Sequence, residues 1–181
     1  MNTHLCLLRG INVSGHNMIK MDALKTTLEN CGFQNVVTYI QSGNVFVDSP
    51  ESNSAAVGFA IKQEIFKVFG HEVAVVVVSK EDLKSTLNEN PFLIDKEVDV
   101  KKLYVAFLSQ NLKKEAINDL KMSQFKPDEA ILQGNKIFIK YAMGAGKTRL
   151  DQKYIEKKLN VVATIRNWNT VSRLLELFEE R

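Results

Sequence analysis

The segment QSGNVFV (residues 41–47) aligns without a gap on QGNKIFI (residues 133–139), 92 positions further along the chain. Both segments place a glycine-containing turn before a β-branched and aromatic run, which is typical of a β-hairpin. Gly43 can adopt the positive φ angle that such a turn requires. The recurrence predicts that the 181 residues form two similar halves, residues 1–90 and 91–181, with a connector near residues 91–99.

Each half shows the same predicted order of elements. Apolar residues recur every second position in the predicted strands and about every 3.6 positions in the predicted helices, and these patterns alternate in the same order in both halves. The predicted strands cover residues 4–8, 36–40, 45–48, 72–78, 102–108, 130–132, 137–141 and 161–165. The predicted helices cover residues 24–31, 54–69, 79–90 and 113–122, then one that is capped by Thr148 or Asp151 and ends at Leu159, and a last one capped by Asn169.

The order β-α-β-β-α-β followed by one helix is that of the split βαβ, ferredoxin-like unit. We therefore predict an α+β fold: a tandem duplication of a ferredoxin-like βαββαβ unit, with antiparallel sheets and an added C-terminal helix on each half. The strand order expected in each sheet is 4-1-3-2, with the helices on one face.

Composition narrows the class of protein. Hydrophobic residues make up 45% of the chain and charged residues 25%, which are globular proportions. The longest apolar run, residues 73–78, is far too short to span a bilayer, and no secretory signal is visible. Cys6 and Cys31 lie among apolar neighbours, which favours reduced thiols. We therefore expect a cytoplasmic protein with no membrane partner.

Charge is distributed unevenly between the halves. Residues 1–90 hold 7 basic and 9 acidic side chains, whereas residues 91–181 hold 17 and 12. Seven of the basic residues lie within residues 136–158, where only Asp151 and Glu156 oppose them. This stretch should attract anions, although a solvated helix face would have the same composition.

Two polar clusters follow from the predicted topology. The end of the first strand and the hairpin between the second and third meet at one edge of a ferredoxin-like sheet. In the first half, Arg9, Asn12, Ser14, His16 and Asn17 should therefore lie near residues 42–44. In the second half, residues 144–148 and 166–170 should gather at the opposite edge.

The residues expected to bind a ligand combine cations for bidentate contacts with amides and hydroxyls for directional hydrogen bonds. They are Arg9, Asn12, Ser42, Asn44, Lys147, Thr148, Arg166 and Asn169. The glycine turn at residues 144–148 suggests an anion site, but a full phosphate-binding loop is excluded because Tyr141 stands where that motif needs glycine. A structural glycine turn, and for residues 42–44 a hairpin turn alone, remain alternatives.

Catalysis has less support in the sequence. No metal-ligand spacing is present, so we expect no metal site and no cofactor. His16 is the one histidine in a cluster, and Arg9 with His16 could act on a polar substrate without a metal. Nucleic acid is a weaker expectation: ferredoxin-like units that bind RNA present two or three aromatic residues, and the third strand here keeps only Phe46.

Four blocks carry a resemblance to a known family. They are LLRGINVSG (residues 7–15), YIQSGNV (39–45), NPF (90–92) and TIRNWNTV (164–171). In this order and at these distances they resemble the signature blocks of a family of small bacterial proteins that is defined as a domain of unknown function. The resemblance implies a cytosolic bacterial protein of the tandem ferredoxin-like type and supplies no catalytic residues. Thr148 and Arg149 stand where that family has a serine and a lysine, which keeps a hydroxyl and a cation.

The sequence thus favours a binding protein that holds a small anionic or phosphorylated ligand, or a nucleic-acid backbone, in a groove between the two halves. A metal-independent enzyme is the first alternative. The second is a purely structural role for the signature residues, whose hydrogen bonds would hold the halves together.

Overall fold

Two four-stranded antiparallel sheets form the framework of the protein, which a computed structural model describes over residues 1–13 and 15–181. Each sheet belongs to one of two units, Met1–Ser79 and Lys80–Arg181. The boundary predicted after residue 90 therefore falls later than the division between the units.

Within its described residues, 1–13 and 15–79, the first unit contains four strands and two helices. The strands are β1 (Asn2–Leu8), β2 (Gln34–Tyr39), β3 (Asn44–Ser49) and β4 (Val75–Val78), and the helices are α1 (Met21–Asn30) and α2 (Ser54–Phe69). The strand order is β2-β3-β1-β4, which is the predicted ferredoxin-like order. The side chains of α1 and α2 pack on one face of this sheet, where Leu24, Leu28 and Ile61 meet Cys6 and Val45 in a buried core.

The second unit contains four strands, three α-helices and several short 3-10 turns. Helix α3 (Lys80–Asn88) comes first, followed by β5 (Leu103–Leu108), β6 (Glu129–Gln133), β7 (Lys136–Lys140), α4 (Gln152–Leu159), β8 (Ala163–Asn167) and α5 (Trp168–Glu179). The strand order is β6-β7-β5-β8, the same as in the first unit. Helix α3 was expected to end the first half, but it belongs to the second unit, where it contacts α5.

The 92-position recurrence is reproduced in the strand register. Leu7 pairs with Asn44 in the first sheet, and Phe107 pairs with Lys136 in the second. One position further on, the N–H of Leu8 donates to the carbonyl of Gly43 at 2.7 Å and the N–H of Leu108 to that of Asn135 at 2.8 Å. The α+β, antiparallel fold is confirmed, and the matching registers are consistent with a duplicated unit.

The prediction of a helix at residues 113–122 is wrong. The chain instead forms two 3-10 turns, Lys114–Leu120 and Met122–Phe125, separated by Lys121 in the left-handed region at φ 48°. Lys113 precedes the first turn and provides no side-chain cap, whose absence typically costs about 1 kcal/mol. Helix α1 also lacks such a cap but buries Met21, Leu24 and Leu28. With Leu120 as its one fully buried apolar anchor, the segment has too little packing to compensate.

The caps of α4 and α5 differ in how well the sequence predicts them. Of the two predicted caps of α4, Thr148 and Asp151, the N-cap is Asp151, whose carboxylate accepts from the N–H of Tyr154 at 2.8 Å. The prediction that Asn169 caps α5 is wrong. Asn167 caps this helix, and its Oδ1 accepts from the backbone N–H of Asn169 at 3.0 Å. The reason is that β8 runs into α5 without a linker, so the last strand residue takes the capping position.

No helix in residues 1–13 and 15–181 is both long and apolar enough to cross a membrane.

Candidate functional site

The first polar cluster forms where the sequence places it, at the end of β1 beside the β2–β3 hairpin. Asn12 donates from its amide nitrogen to the carbonyls of Ile19 and Gln41, both at 2.9 Å, and accepts from the N–H of Ile19 at 2.8 Å. Its own φ is 52°. Both amide protons and the amide oxygen are thus used inside the protein, where they join the loop to the hairpin.

The hairpin residues are held in a similar way. Asn44 is fully buried, and its amide nitrogen donates to the carbonyl of Tyr39 at 3.0 Å and to Oγ of Ser42 at 3.1 Å. Gly43 adopts φ 76°, which confirms the predicted turn, and a Cβ atom there would lie 2.7 Å from Cβ of Leu8. The hydrogen bonds of this turn therefore stabilise its own conformation.

The remaining members of this cluster have different surroundings. Arg9 is half-buried, and its backbone N–H donates to the carbonyl of Ala74 at 2.9 Å. His16 is exposed. Ser14, which the sequence assigns to this cluster, lies outside the described residues.

Arg166 lies in the interior of the second unit. Only 6% of its surface is exposed, and its guanidinium donates to Oγ1 of Thr164 at 2.7 Å and to the carbonyl of Ile165 at 3.0 Å. Burial lowers the pKa of the Arg166 guanidinium to about 10, so that it still carries a positive charge at neutral pH. Asn169, two residues after the N-cap of α5, is exposed.

An open cleft of about 540 Å³ lies at one edge of the second sheet, between the segment that precedes β6 and the loop that follows β7. Because β6 and β7 pair antiparallel, with Glu129 opposite Lys140, those two segments must meet at the same edge. We call this the cationic cleft, and its lining residues are Gln124, Phe125, Lys126, Pro127, Asp128, Met143, Gly144, Lys147, Thr148 and Arg149.

Three cations line the cationic cleft: Lys126, Lys147 and Arg149. None of them forms an ion pair or a side-chain hydrogen bond with the residues that the structure describes. Asp128 also lines the cleft, but its Oδ1 accepts from the N–H of Ala142 at 2.9 Å and so fixes the loop after β7. The cleft therefore presents an excess of positive charge.

The loop that carries two of these cations has a backbone that requires glycine. Gly144 holds φ 88° and ψ 152°, a region that residues with a Cβ atom almost never occupy. A 3-10 turn, Ala145–Lys147, follows it. Thr148 comes next, and its Oγ1 accepts from the N–H of Leu150 at 3.0 Å while its hydroxyl proton remains able to donate.

The structure brings together part of the second predicted cluster. Lys147 and Thr148 line the cationic cleft, but Arg166, Asn169 and Trp168 do not. The pairing of the strands explains the difference: β5 lies between β7 and β8, so the end of β8 is separated from the loop after β7 by one strand.

Sequence reasoning missed Lys126 and the apolar lining of the cleft, Phe125 and Met143. A signal for them was present, because the predicted second hairpin already requires the segment before β6 to lie beside the loop after β7. Arg149 belongs to the basic stretch at residues 136–158, but the sequence does not place it among the residues expected to bind a ligand.

Buried Lys136 ties helix α3 to the second sheet. Its Nζ donates to the hydroxyls of Ser85 and Thr86, both on α3. Burial lowers the pKa of the Lys136 ammonium, and the negative charges of Glu89 and Asp82 partly oppose this shift. This contact is structural in character because each hydroxyl also donates to the carbonyl of Asp82.

A metal site receives no support from the described part of the chain. No group of three or more His, Cys, Asp or Glu side chains in residues 1–13 and 15–181 could hold a metal ion.

The fold and the cleft together define an α+β protein with two ferredoxin-like units and a cationic cleft in the second. The family model described as "Protein of unknown function (DUF1697)" matches residues 1–138, so the chain belongs to the DUF1697 family. A solved structure with a similar fold is the conserved bacterial protein SP0830 from Streptococcus pneumoniae. It is 24% identical, with a TM-score of 0.66, and the alignment covers 96% of this chain and 97% of that one. No curated protein matches the sequence.

Proposed function

We propose that this protein binds a small anionic ligand, phosphorylated or carboxylated, in the cationic cleft of its second unit. The observation that carries the proposal is the convergence of Lys126, Lys147 and Arg149 on one cleft without an acidic partner for any of them among the described residues. The positive charges of these three side chains repel one another, and a bound anion offsets that repulsion.

The cleft also supplies the hydrogen-bond geometry that an anion needs. Arg149 can make two parallel hydrogen bonds to a phosphate or carboxylate, whereas Lys126 and Lys147 act as point charges. The Thr148 hydroxyl adds a neutral donor. A volume of about 540 Å³ lies in the range typical of small-molecule sites.

For the first cluster and for Arg166 we propose a structural role inside each residue's own unit, which is narrower than the second alternative, where such bonds join the two halves. The amide of Asn12 and the amide nitrogen of Asn44 are occupied by hydrogen bonds within their own unit. Ser42 accepts from Asn44, and buried Arg166 likewise bonds to neighbours in its own strand. None of these four side chains lines the cationic cleft.

We also propose that the protein works in a reducing compartment such as the cytoplasm. Its two cysteines are not paired: Cys6 is buried and Cys31 is exposed. An exposed thiol persists more readily where disulfides are kept reduced.

Isothermal titration calorimetry of the full chain with pyrophosphate tests the anion site. At an ionic strength of about 0.01 M, where charges are screened over about 30 Å, we expect saturable binding that weakens as salt rises. The variant Lys126→Gln/Lys147→Gln/Arg149→Gln should lose at least tenfold in affinity, since each charge-assisted hydrogen bond contributes about 1.5 to 3 kcal/mol.

The matched control removes three positive charges from the surface outside the cationic cleft. Lys62, Lys101 and Lys153 are exposed and lie outside the cationic cleft, so replacing all three by glutamine changes net charge equally. If this control loses as much affinity as the cleft variant, binding follows net charge and the proposed site is wrong. Affinity for oligonucleotides that grows with their length would instead indicate a nucleic-acid backbone.

A further inference from the structure

We infer that the ligand of the cationic cleft carries a flat heterocyclic ring together with its phosphate, and so belongs to the chemical class of nucleoside monophosphates. This inference rests on the proposed function. It comes from a second feature of the same cleft, the apolar side chains that line it beside the cations.

Phe125 is the rigid part of this apolar lining. Its ring packs edge-on against the ring of Tyr154, with centroids 4.9 Å apart and planes at 75°. Tyr154 is itself fixed, because its hydroxyl donates to the carbonyl of Leu120 at 3.0 Å and accepts from the amide nitrogen of Gln124 at 2.7 Å. One side of Phe125 is therefore anchored, and the half-buried ring also lines the cleft.

Met143 is the adaptable part. It lies on the loop after β7, whereas Phe125 lies in the segment before β6, so the two side chains reach the cleft from separate segments. Met143 is 65% exposed. A thioether and an aromatic ring both contact planar rings favourably, the first by its polarisable sulfur and the second by stacking.

The combination of cations and apolar side chains selects among anions. Inorganic phosphate and sugar phosphates would satisfy Lys147 and Arg149 but would leave Phe125 and Met143 exposed to water. A ring alone would cover the apolar side and leave the cations unpaired. A phosphorylated heterocycle satisfies both sides, and a cleft of about 540 Å³ suits one such molecule better than a polymer.

Calorimetry on the full chain separates the two contributions. The probes are AMP, GMP, CMP and UMP, with ribose 5-phosphate as the ligand that lacks a ring and adenosine as the ligand that lacks a phosphate. We expect at least one of the four nucleotides to bind about tenfold more tightly than ribose 5-phosphate, because base–aromatic stacking adds affinity of this order. Adenosine should bind more weakly than AMP.

Two variants assign the effect of the ring to the cleft. Phe125→Leu should bring the affinity for the nucleotide close to that for ribose 5-phosphate. Met143→Ala alters an exposed side chain, so it provides a second test should Phe125→Leu fail to fold. Phe59→Leu replaces an exposed aromatic residue of α2 in the first unit and should bind like the parent.

The possible failures are distinguishable. Equal affinity for ribose 5-phosphate and all four nucleotides would overturn the inference while leaving the anion site in place. Absence of binding by every phosphorylated probe would overturn the inference, and absence of binding by pyrophosphate as well would overturn the anion site. Adenosine binding as tightly as AMP, or a nucleotide advantage that survives Phe125→Leu and Met143→Ala, would also contradict the inference.

Discussion

Cys6 shows how burial alone sets the chemistry of a side chain. It lies on β1 with no exposed surface, in the core that α1 and α2 cover. Removal from water disfavours the thiolate and raises the pKa of the Cys6 thiol well above its ordinary value of 9.0. Cys6 is therefore an inert packing residue at neutral pH, whereas Cys31 is exposed at the end of α1.

This buried thiol predicts a loss of stability at alkaline pH. Above pH 9 the unfolded chain loses the Cys6 proton while the folded chain keeps it, so the stabilisation present below pH 9 decreases as pH rises. The slope for one such group rises toward about 1.4 kcal/mol per pH unit as the pH passes above 9. Urea denaturation at pH 9 to 10 should show a shallower decline for Cys6→Ala than for the parent. Cys31→Ala, a change at an exposed thiol, should retain most of the slope, and equal slopes for Cys6→Ala and the parent would contradict the assignment.

At the scale of elements, the β2–β3 hairpin combines a backbone constraint with a packing constraint. Gly43 and Gly70 have similar positive φ angles, 76° and 70°, but only Gly43 is crowded. A Cβ atom at Gly43 would lie 2.7 Å from Cβ of Leu8 and 2.9 Å from the side chain of Ile11, whereas a Cβ atom at Gly70 meets nothing within 4 Å.

The two glycines therefore form a matched pair for mutation. Gly70→Ala should cost about 1 kcal/mol, the price of a left-handed conformation alone. Gly43→Ala should cost more, about 2 kcal/mol or above, because the neighbouring backbone and Ile11 must also move. Denaturant titrations measure both free energies of unfolding, and equal losses would show that crowding at the hairpin contributes nothing.

Elements whose signals lie in a few adjacent residues could be predicted from the sequence. Gly43 marks the first hairpin and Asp151 the start of α4, and both positions are confirmed by local geometry. The segment at residues 113–122 could not be predicted in this way. Its apolar spacing resembles a helix, but only Leu120 is fully buried and the left-handed Lys121 interrupts the segment, which forms 3-10 turns.

The candidate site was only partly predictable, because its residues come from two segments that are distant in the sequence. Lys147 and Thr148 stand next to a glycine turn that sequence reasoning recognises. Lys126 and Phe125 precede a different strand, and only the pairing of β6 with β7 brings them to the cleft. The sequence places Arg166 in a polar cluster at residues 166–170, where an arginine could make bidentate contacts with an anion, whereas the structure buries it in the sheet.

At the scale of the whole molecule, the two units share a strand order and differ in net charge. The second unit, residues 80–181, holds 19 basic and 15 acidic residues against 5 and 6 in the first, and it contains the cationic cleft. The β2–β3 and β6–β7 hairpins are equivalent, and Asn44 occupies the register position of Lys136 in them. The cationic cleft lies at the other end of the second hairpin, beside the loop after β7. We infer that a common framework is used for internal hydrogen bonding at the first cluster and for anion binding at the cleft.

Backbone NMR of the full chain, titrated with pyrophosphate at low ionic strength, tests this central claim most directly. We predict saturable shifts of the amide signals of residues 124–128 and 143–149, which become smaller as salt is added, while residues 9–13 and 41–44 keep their signals unchanged. Shifts concentrated in residues 9–13 and 41–44, or no saturable shift in either region, would contradict the account.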